Sequence, residues 1–378
     1  MINLRICIIS TFYPVIGGVT RHTEELAKRL VEKGYKVWIV TGHGKNNRIR
    51  YYGQIPVFDV RCVKSVYESF FINPLNSYHL LLNFLKEKEF DLIHIQHFGF
   101  TMLPFLLRNI DIPIISSTHL EPERYLHLNK VINTLWKNVA INIWAKYILE
   151  KSSCIIAVGE FYRKTLMEIG LYDPGRVVYI PNGVDSRRFS PGNSLFKTRL
   201  GYRYILFVGR LDAVKGLKYL IAAFRVIESR FPKIKLVIVG DGPKRNQLKR
   251  IATQNVIFTG NVLGNELIDI FRGAEIFVLP SIAEGSPLAV LEAMSCGIPV
   301  ISTTVGEIPY LLSDGRGILV RPCSVGELVE AITFLLENED VRRRMGLKSR
   351  EYIKKHKDWR NILEKIEIVY RNVLNKLQ

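Results

Sequence analysis

The stretch at residues 280–301, PSIAEGSPLAVLEAMSCGIPVI, constrains the fold more than any other. An apolar run at 274–279 predicts a strand leading into it. Ser286-Pro287 then predicts a helix start, with serine at the N-cap and proline at the first helical position. Gly297 and Pro299 predict its end. Between these signals the helix is apolar or small almost all round, which requires burial. Its one charge is Glu292, and Glu284 sits in the preceding loop. A carboxylate in such a place is costly unless something polar pairs with it. On the ordinary reading Glu292 pairs with a nearby arginine or backbone, and Glu284 is a plain loop acid. On the functional reading, two acids and an open helix N-terminus face a polyhydroxylated, phosphorylated ligand. Amides there take phosphate and carboxylates take hydroxyls.

The same strand–loop–helix unit recurs along the chain. Residues 5–10 predict a strand, followed by TFYPVIGG, a helix over 19–33 and a strand over 36–41. Further strands are predicted at 55–60, 91–96, 112–117, 154–158 and 177–180, an arrangement that builds a parallel, doubly wound α/β sheet. Gly17-Gly18 is either a tight turn or a place where backbone approaches a ligand at a helix N-terminus. G-x-G-x-x-G is absent there, which excludes the dinucleotide fingerprint. Histidines close two strands: His94 and His97 in HIQHFG, and His119 in SSTHLEP. Residues 128–148 keep helical apolar spacing, with Lys130, Lys137 and Lys146 opposite. That helix suits packing on the sheet, and its tryptophans and lysines also suit a lipid surface.

The turn-rich segment 180–192, IPNGVDSRRFSPG, predicts a domain boundary. Beyond it the pattern restarts with a strand at 204–208, helix 217–230, strand 235–239, helix 244–251, strand 256–259 and helix 266–272. Two closing helices, 342–356 and 360–377, have no following strands. A chain of 378 residues fits two such domains.

Composition narrows the class. With 48% hydrophobic and 23% charged residues the chain reads as globular. Five scattered cysteines without a C-x-x-C pair predict neither a zinc ribbon nor a disulfide framework. No signal-peptide layout and no uncharged apolar run of about 18 residues appear, so a cytoplasmic protein, or one peripheral at the inner face of the membrane, is expected. The net charge of +18 has its densest run between Arg342 and Lys357. A solvated helix face explains that run, and so does attraction to an anionic membrane or phosphate-rich acceptor. No nucleic-acid-binding motif accompanies it.

Five motifs follow one another in order: PVIGGVTRH, IPNGVD, GRLDAVKG, VGDGP and EGSPLAVLEAMSCGIPVI. With Glu284 and Glu292 as its E-x7-E signature, the chain resembles the retaining, nucleotide-sugar-dependent glycosyltransferases of family 4 (glycosyl transferases group 1), over nearly its whole length. That resemblance implies the GT-B fold: two Rossmann-like domains facing each other across a cleft, with the last helix crossing back to the first. The acceptor-binding domain would be 1–185 plus about 360–378, and the nucleotide-sugar-binding domain 186–359. It also implies transfer of a sugar from a nucleoside diphosphate sugar to an acceptor hydroxyl of a glycan or lipid-linked acceptor.

The resemblance assigns roles residue by residue. Arg210 and Lys215 match the phosphate-binding pair, as a fork and a point charge for the leaving diphosphate. Glu284 would bind donor-sugar hydroxyls and Glu292 the ribose. His119 would lie near the transferred bond, although family members often carry an aspartate directly after it, where this chain has Leu120 and then Glu121. Amides of Ser286 and Leu288, in the donor-binding stretch with Gly285 and Pro287, and those of Gly17 and Gly18 would cradle phosphates or face the acceptor. Gly240, Gly242 and Val262 would lie near the nucleoside. D-x-D is absent, so no metal and no cofactor are expected beyond the nucleotide sugar as substrate. The segment TTVGEIPYLL places Glu307 and Tyr310 where relatives carry Gly and Glu, which implies different sugar or acceptor selectivity. The alternatives are a nucleotide-sugar epimerase or sugar phosphorylase of the same fold, or a non-catalytic carbohydrate- or membrane-binding protein.

Overall fold

The computed structural model describes residues 4–13, 17–42, 46–61, 75–96, 106–119, 146–169 and 173–376. Most of the 128–148 helix, together with His97, Leu120 and Glu121, lies outside them. The chain divides into two compact units, Met1–Asn182 with Ile362–Gln378, and Gly183–Asn361.

In the first unit, apolar segments form β1 (Arg5–Ile9), β2 (Lys36–Gly42), β3 (Arg48–Tyr52), β4 (Ile55–Val60), β5 (Leu92–Ile95), β6 (Ile114–Thr118), β7 (Cys154–Ala157) and β8 (Val177–Tyr179). They make one sheet in the order β3-β4-β2-β1-β5-β6-β7-β8. Every pairing is parallel except β3 with β4. The interior strands β1, β5 and β6 are buried almost end to end, as a sheet covered on both faces requires. The edge strand β3 was not foreseen, because RIRYY is short, carries two arginines and turns Ile49 and Tyr51 to solvent. Arg48 and Arg50 instead reach the fully buried Asp59 of β4, at 3.1 and 2.8 Å.

The second unit holds β9 (Arg203–Val208), β10 (Ile234–Val239), β11 (Val256–Gly260), β12 (Ile276–Leu279), β13 (Val300–Thr303) and β14 (Gly317–Val320), in the order β11-β10-β9-β12-β13-β14. All five pairings are parallel. Its core interleaves the sheet with helices such as Leu217–Arg230 and Leu288–Ser295. Among the described residues, no helix is long and apolar enough to cross a membrane. Cys7, Cys154 and Cys296 are buried free thiols, and Cys323 is an exposed one.

The final helix, Trp359–Asn375, begins in the second unit and continues into the first, where Tyr35 donates to Glu367 at 3.0 Å. Just before it, Asp358 is 2% exposed and forms an isolated parallel bridge with Val184. Its carboxylate accepts from the Ser186 hydroxyl and from the Arg360 side chain at 2.7 Å and amide at 3.0 Å. Burial pushes this carboxyl up, but those bonds outweigh it and hold the pKa at about 2. A depressed folded-state pKa stabilises the fold above the ordinary aspartate value and is lost as pH falls from about 4 through about 2. Asp358→Asn should therefore remove about 2 kcal/mol at neutral pH and flatten the stability profile across that acid window, read by denaturant unfolding at stepped pH.

Candidate active site

Six parallel strands place all their carboxyl ends on one edge of the second sheet, and the winding reverses between β9 and β12. Ligands of open α/β sheets bind at such a reversal. Arg210 lies just past β9, and Glu284 lies in the loop past β12.

Local chemistry draws the two loops together. The side chain of Asp212 caps the one-turn helix Ala213–Lys215, its Oδ1 accepting from the Lys215 amide at 3.2 Å. Gly216 follows at φ +65°, and the Ile282 amide donates to the Val214 carbonyl at 2.7 Å. A Cβ on Gly216 would stand 2.0 Å from the Pro280 carbonyl oxygen, so only glycine lets these backbones approach. The Lys215 ammonium thereby reaches Glu284 Oε1 at 2.5 Å, and the Ser281 hydroxyl donates to the same oxygen at 2.6 Å. The pair is nearly out of water, with side chains 15% and 3% exposed. Arg210 is more open at 36%, with Nε 3.5 Å from Asp212.

A second loop supports Glu284 from behind. Gly306 has φ +53°, and its Cβ would lie 2.0 Å from the Glu284 carbonyl oxygen. The Glu307 amide donates to the Gly285 carbonyl at 2.9 Å. Glu307 itself is buried, with φ −79° and ψ −11°, a conformation open to any residue.

The buried helix starts one residue later than the sequence predicts. It spans Leu288–Ser295, and Pro287, not Ser286, occupies the N-cap at ψ 115°. The Pro287 carbonyl accepts from the Val290 amide at 3.2 Å, which closes the first turn from proline onward. Proline has no side-chain oxygen, so the N-cap residue itself makes no side-chain cap, and the helix's first-turn amides point toward the loop. Glu292 is 3% exposed within the buried row Val290–Ser295. Gly240 and Gly242 follow β10, where added Cβ atoms would fall 2.0 Å from the Gly209 carbonyl oxygen and 2.6 Å from that of Leu211. Packing against the Arg210 loop thus accounts for both glycines. Val262 lies beyond β11, part-buried against the core.

In the first unit the winding reverses between β1 and β5. Gly17 is the N-cap of the helix Gly18–Glu32, and its φ of −171° is ordinary extended backbone. Among the described residues, nothing lies within 4 Å of a Cβ built on Gly17 or Gly18. Packing there does not demand glycine. His119 follows β6, its Nε2 is 2.7 Å from Gln96 Oε1, and its ring centroid is 5.0 Å from that of His22. His94 was expected at a strand end but lies inside β5, fully buried. Burial pushes its pKa down to about 3, helped by the neighbouring His119, and burial does the same for His22. Both remain neutral at physiological pH.

The structure therefore brings Lys215 and Glu284 into contact and sets Arg210 on the same edge. It adds Asp212, Gly216, Ser281, Gly306 and Gln96, which sequence reasoning missed. Asp212 had a visible signal, an acid three residues before the amide it caps. Gly306 and Ser281 depend on contacts between loops distant in sequence.

Comparison with known proteins agrees with this architecture. Residues 195–352 match Glycosyl transferases group 1, and residues 16–188 match Glycosyltransferase Family 4. The chain is 27% identical to an uncharacterized glycosyltransferase of Methanocaldococcus jannaschii, covering 99% of each. It is 25% identical to a phosphatidylinositol N-acetylglucosaminyltransferase protein of Arabidopsis thaliana, over 98% of this chain and 83% of that protein. Anabaena HepE, solved with UDP-glucose, superposes with a TM-score of 0.78 at 18% identity, over 98% of this chain and all of that one. The chain belongs to glycosyltransferase family 4, the group 1 glycosyl transferases, and has their GT-B fold of two Rossmann-like domains.

Proposed function

We propose that this glycosyltransferase moves a sugar from a nucleoside diphosphate sugar to a hydroxyl of a glycan or lipid-linked acceptor, with retention at the anomeric carbon. The observation that carries this reading is the Lys215–Glu284 pair, set with Arg210 at the strand-order reversal of the second sheet. In this reading Lys215 leaves Glu284 for the diphosphate when donor binds, Arg210 supplies a fork to the same phosphates, and Glu284 is released to accept sugar hydroxyls. Glu292 binds the ribose. The amides of Gly285, Ser286 and Leu288, with Pro287 between them setting the turn, cradle phosphate, and Gly240, Gly242 and Val262 border the nucleoside. The first unit serves the acceptor, with Gly17, Gly18 and His119 on its carboxyl edge, and the second serves the donor.

The bond from the anomeric carbon to the diphosphate oxygen breaks while that to the acceptor oxygen forms on the same face. The acceptor proton passes to the departing phosphate oxygen, and no protein nucleophile or metal is invoked. The positive charge at Arg210, Lys215 and the helix amides stabilises the leaving group. HepE crystallised with UDP-glucose supports a nucleotide-sugar donor. The Arabidopsis relative, named for N-acetylglucosaminyl transfer to phosphatidylinositol, favours a lipid-linked acceptor.

Incubation with a panel of nucleotide sugars, with and without acceptor glycolipids, tests this reading. Released nucleoside diphosphate should match new glycoside in amount, and proton NMR should show the donor's anomeric configuration in the product. An inverted anomer would contradict retention. Altered sugar or sugar phosphate formed from donor alone would favour the epimerase or phosphorylase alternative.

A further inference from the structure

The basic run from Arg342 to Lys357 falls on one helix, Glu339–His356, and just past its end, and the structure sorts the cations into two sets. The inward set holds the fold. Arg342 donates to the Leu335 and Leu336 carbonyls at the end of the helix Val325–Glu337, and Arg350 donates to the Ser295 carbonyl at the end of Leu288–Ser295. Gly346 lies so close to Gly297 that an added Cβ would stand 1.9 Å from its carbonyl oxygen, which pins the back of the helix. Lys357 is buried. The outward set is Arg343, Arg344, Lys348, Lys354 and Lys355, all exposed. At 3.6 residues per turn they fall within roughly 140° of arc, on the face opposite the buried Gly346 and Ser349. Leu347 sits inside that arc and is 55% exposed.

The acids on the same face are Asp340 and Glu351, both exposed. Among the described residues, none of the five outward cations is in an ion pair. Lys348 feels the charge of Asp314, but Arg316 already holds that carboxylate at 2.8 Å. With one cation paired to each of the two acids, three of the five would still be left over. Arg344 and Lys348, one turn apart, repel each other. Solubility needs charge but not charge of one sign, so the excess points to a negative partner. We propose that the outer face of the helix Glu339–His356 docks on an anionic lipid bilayer, with the five cations over the headgroups and Leu347 reaching into the interface. Charge complementarity selects the anionic surface, and the leucine among the cations selects a bilayer, because a plain polyanion offers no apolar layer. The helix has 18 residues, so it presents this face over roughly 27 Å. The docking goes beyond the transfer reading and does not require it.

Cosedimentation of the full-length protein with vesicles, without donor, tests this. At about 0.1 M salt, native protein should bind phosphatidylcholine vesicles that carry about 30% phosphatidylserine and should not bind pure phosphatidylcholine. Salt at about 0.5 M should release most of it. Arg343→Gln, Arg344→Gln, Lys348→Gln, Lys354→Gln and Lys355→Gln together should weaken binding at least about 30-fold. A control removes the same charge from scattered exposed sites: Arg187→Gln, Arg199→Gln, Lys218→Gln, Lys233→Gln and Arg250→Gln. It should weaken binding by less than about fivefold, because those charges lie away from the contact. Leu347→Gln alone should weaken it several-fold through lost apolar contact. All three proteins should melt near the native midpoint, since the altered side chains face solvent. Native protein that binds both vesicle types alike or neither, equal losses in the two five-cation variants, or native binding by Leu347→Gln would each overturn the proposal. The assay needs no turnover, so absence of glycosyl transfer would sink the functional reading and leave this one to its own result.

Discussion

Lys215→Ala and Glu284→Ala are each expected to lower turnover on the order of 100-fold or more, measured as nucleoside diphosphate released per enzyme with donor and acceptor saturating. In the proposed reading Lys215 supplies charge where the leaving diphosphate becomes more negative, and Glu284 orients the sugar that is transferred. The two variants should part company in stability. Lys215→Ala leaves a carboxylate that is 5% exposed without its cation, at a cost of about 3 kcal/mol or more. Glu284→Ala leaves a lysine that can swing toward water, and should unfold closer to the native protein. Turnover near the native value in both variants would remove this edge of the sheet from the active site.

Gly216→Ala should be among the most damaging single changes in the second unit. Its φ of +65° already disfavours alanine, and the added Cβ would stand 2.0 Å from the Pro280 carbonyl oxygen. A side chain has no flexible atom to yield there, so the Ala213–Lys215 turn must part from the loop that carries Glu284. We expect a loss of about 3 kcal/mol or more, roughly a 10 °C fall in the unfolding midpoint of that unit. Turnover should fall as well, because the Lys215–Glu284 contact depends on the same approach. Gly201→Ala is the matched control. It has φ +70°, and among the described residues nothing within 4 Å of its Cβ, so it should cost only about 1 kcal/mol and leave turnover intact. Equal melting losses in the two variants would show that backbone conformation alone, and not the close approach of loops, makes Gly216 necessary.

The contrast between these glycines shows where sequence reading stops. Strand–helix alternation was legible because buried parallel strands are continuous apolar runs: β4 and the helix Leu217–Arg230 fall at their expected bounds. Strand β3 was not, because its arginines pair with the buried Asp59, which no apolar period reveals. Hairpin chemistry was its one local signal, with Gly53 at φ +59° just before β4. In the site, the charged residues announced themselves by type and by motif order. Their geometry did not. Nothing in GRLDAVKG tells that Lys215 rests on Glu284 through contacts between residues 214 and 282. Likewise, the helix start was misplaced by one residue because Ser-Pro fits two registers, and the Val290–Pro287 bond selects the second.

The central claim is that Lys215 and Glu284 form the donor's diphosphate and sugar contacts, not merely a structural ion pair. Lys215→Met combined with Glu284→Gln separates the two, since it removes both charges and leaves neither buried alone. Thermal unfolding of the native protein and this double variant, each with a panel of nucleotide sugars, gives the decision, because a ligand that binds the folded state raises its midpoint by mass action. The account predicts that at least one nucleotide sugar stabilises the native protein and that the double variant, unfolding near the native midpoint when alone, gains little from it. An equal upward shift in both proteins would contradict it.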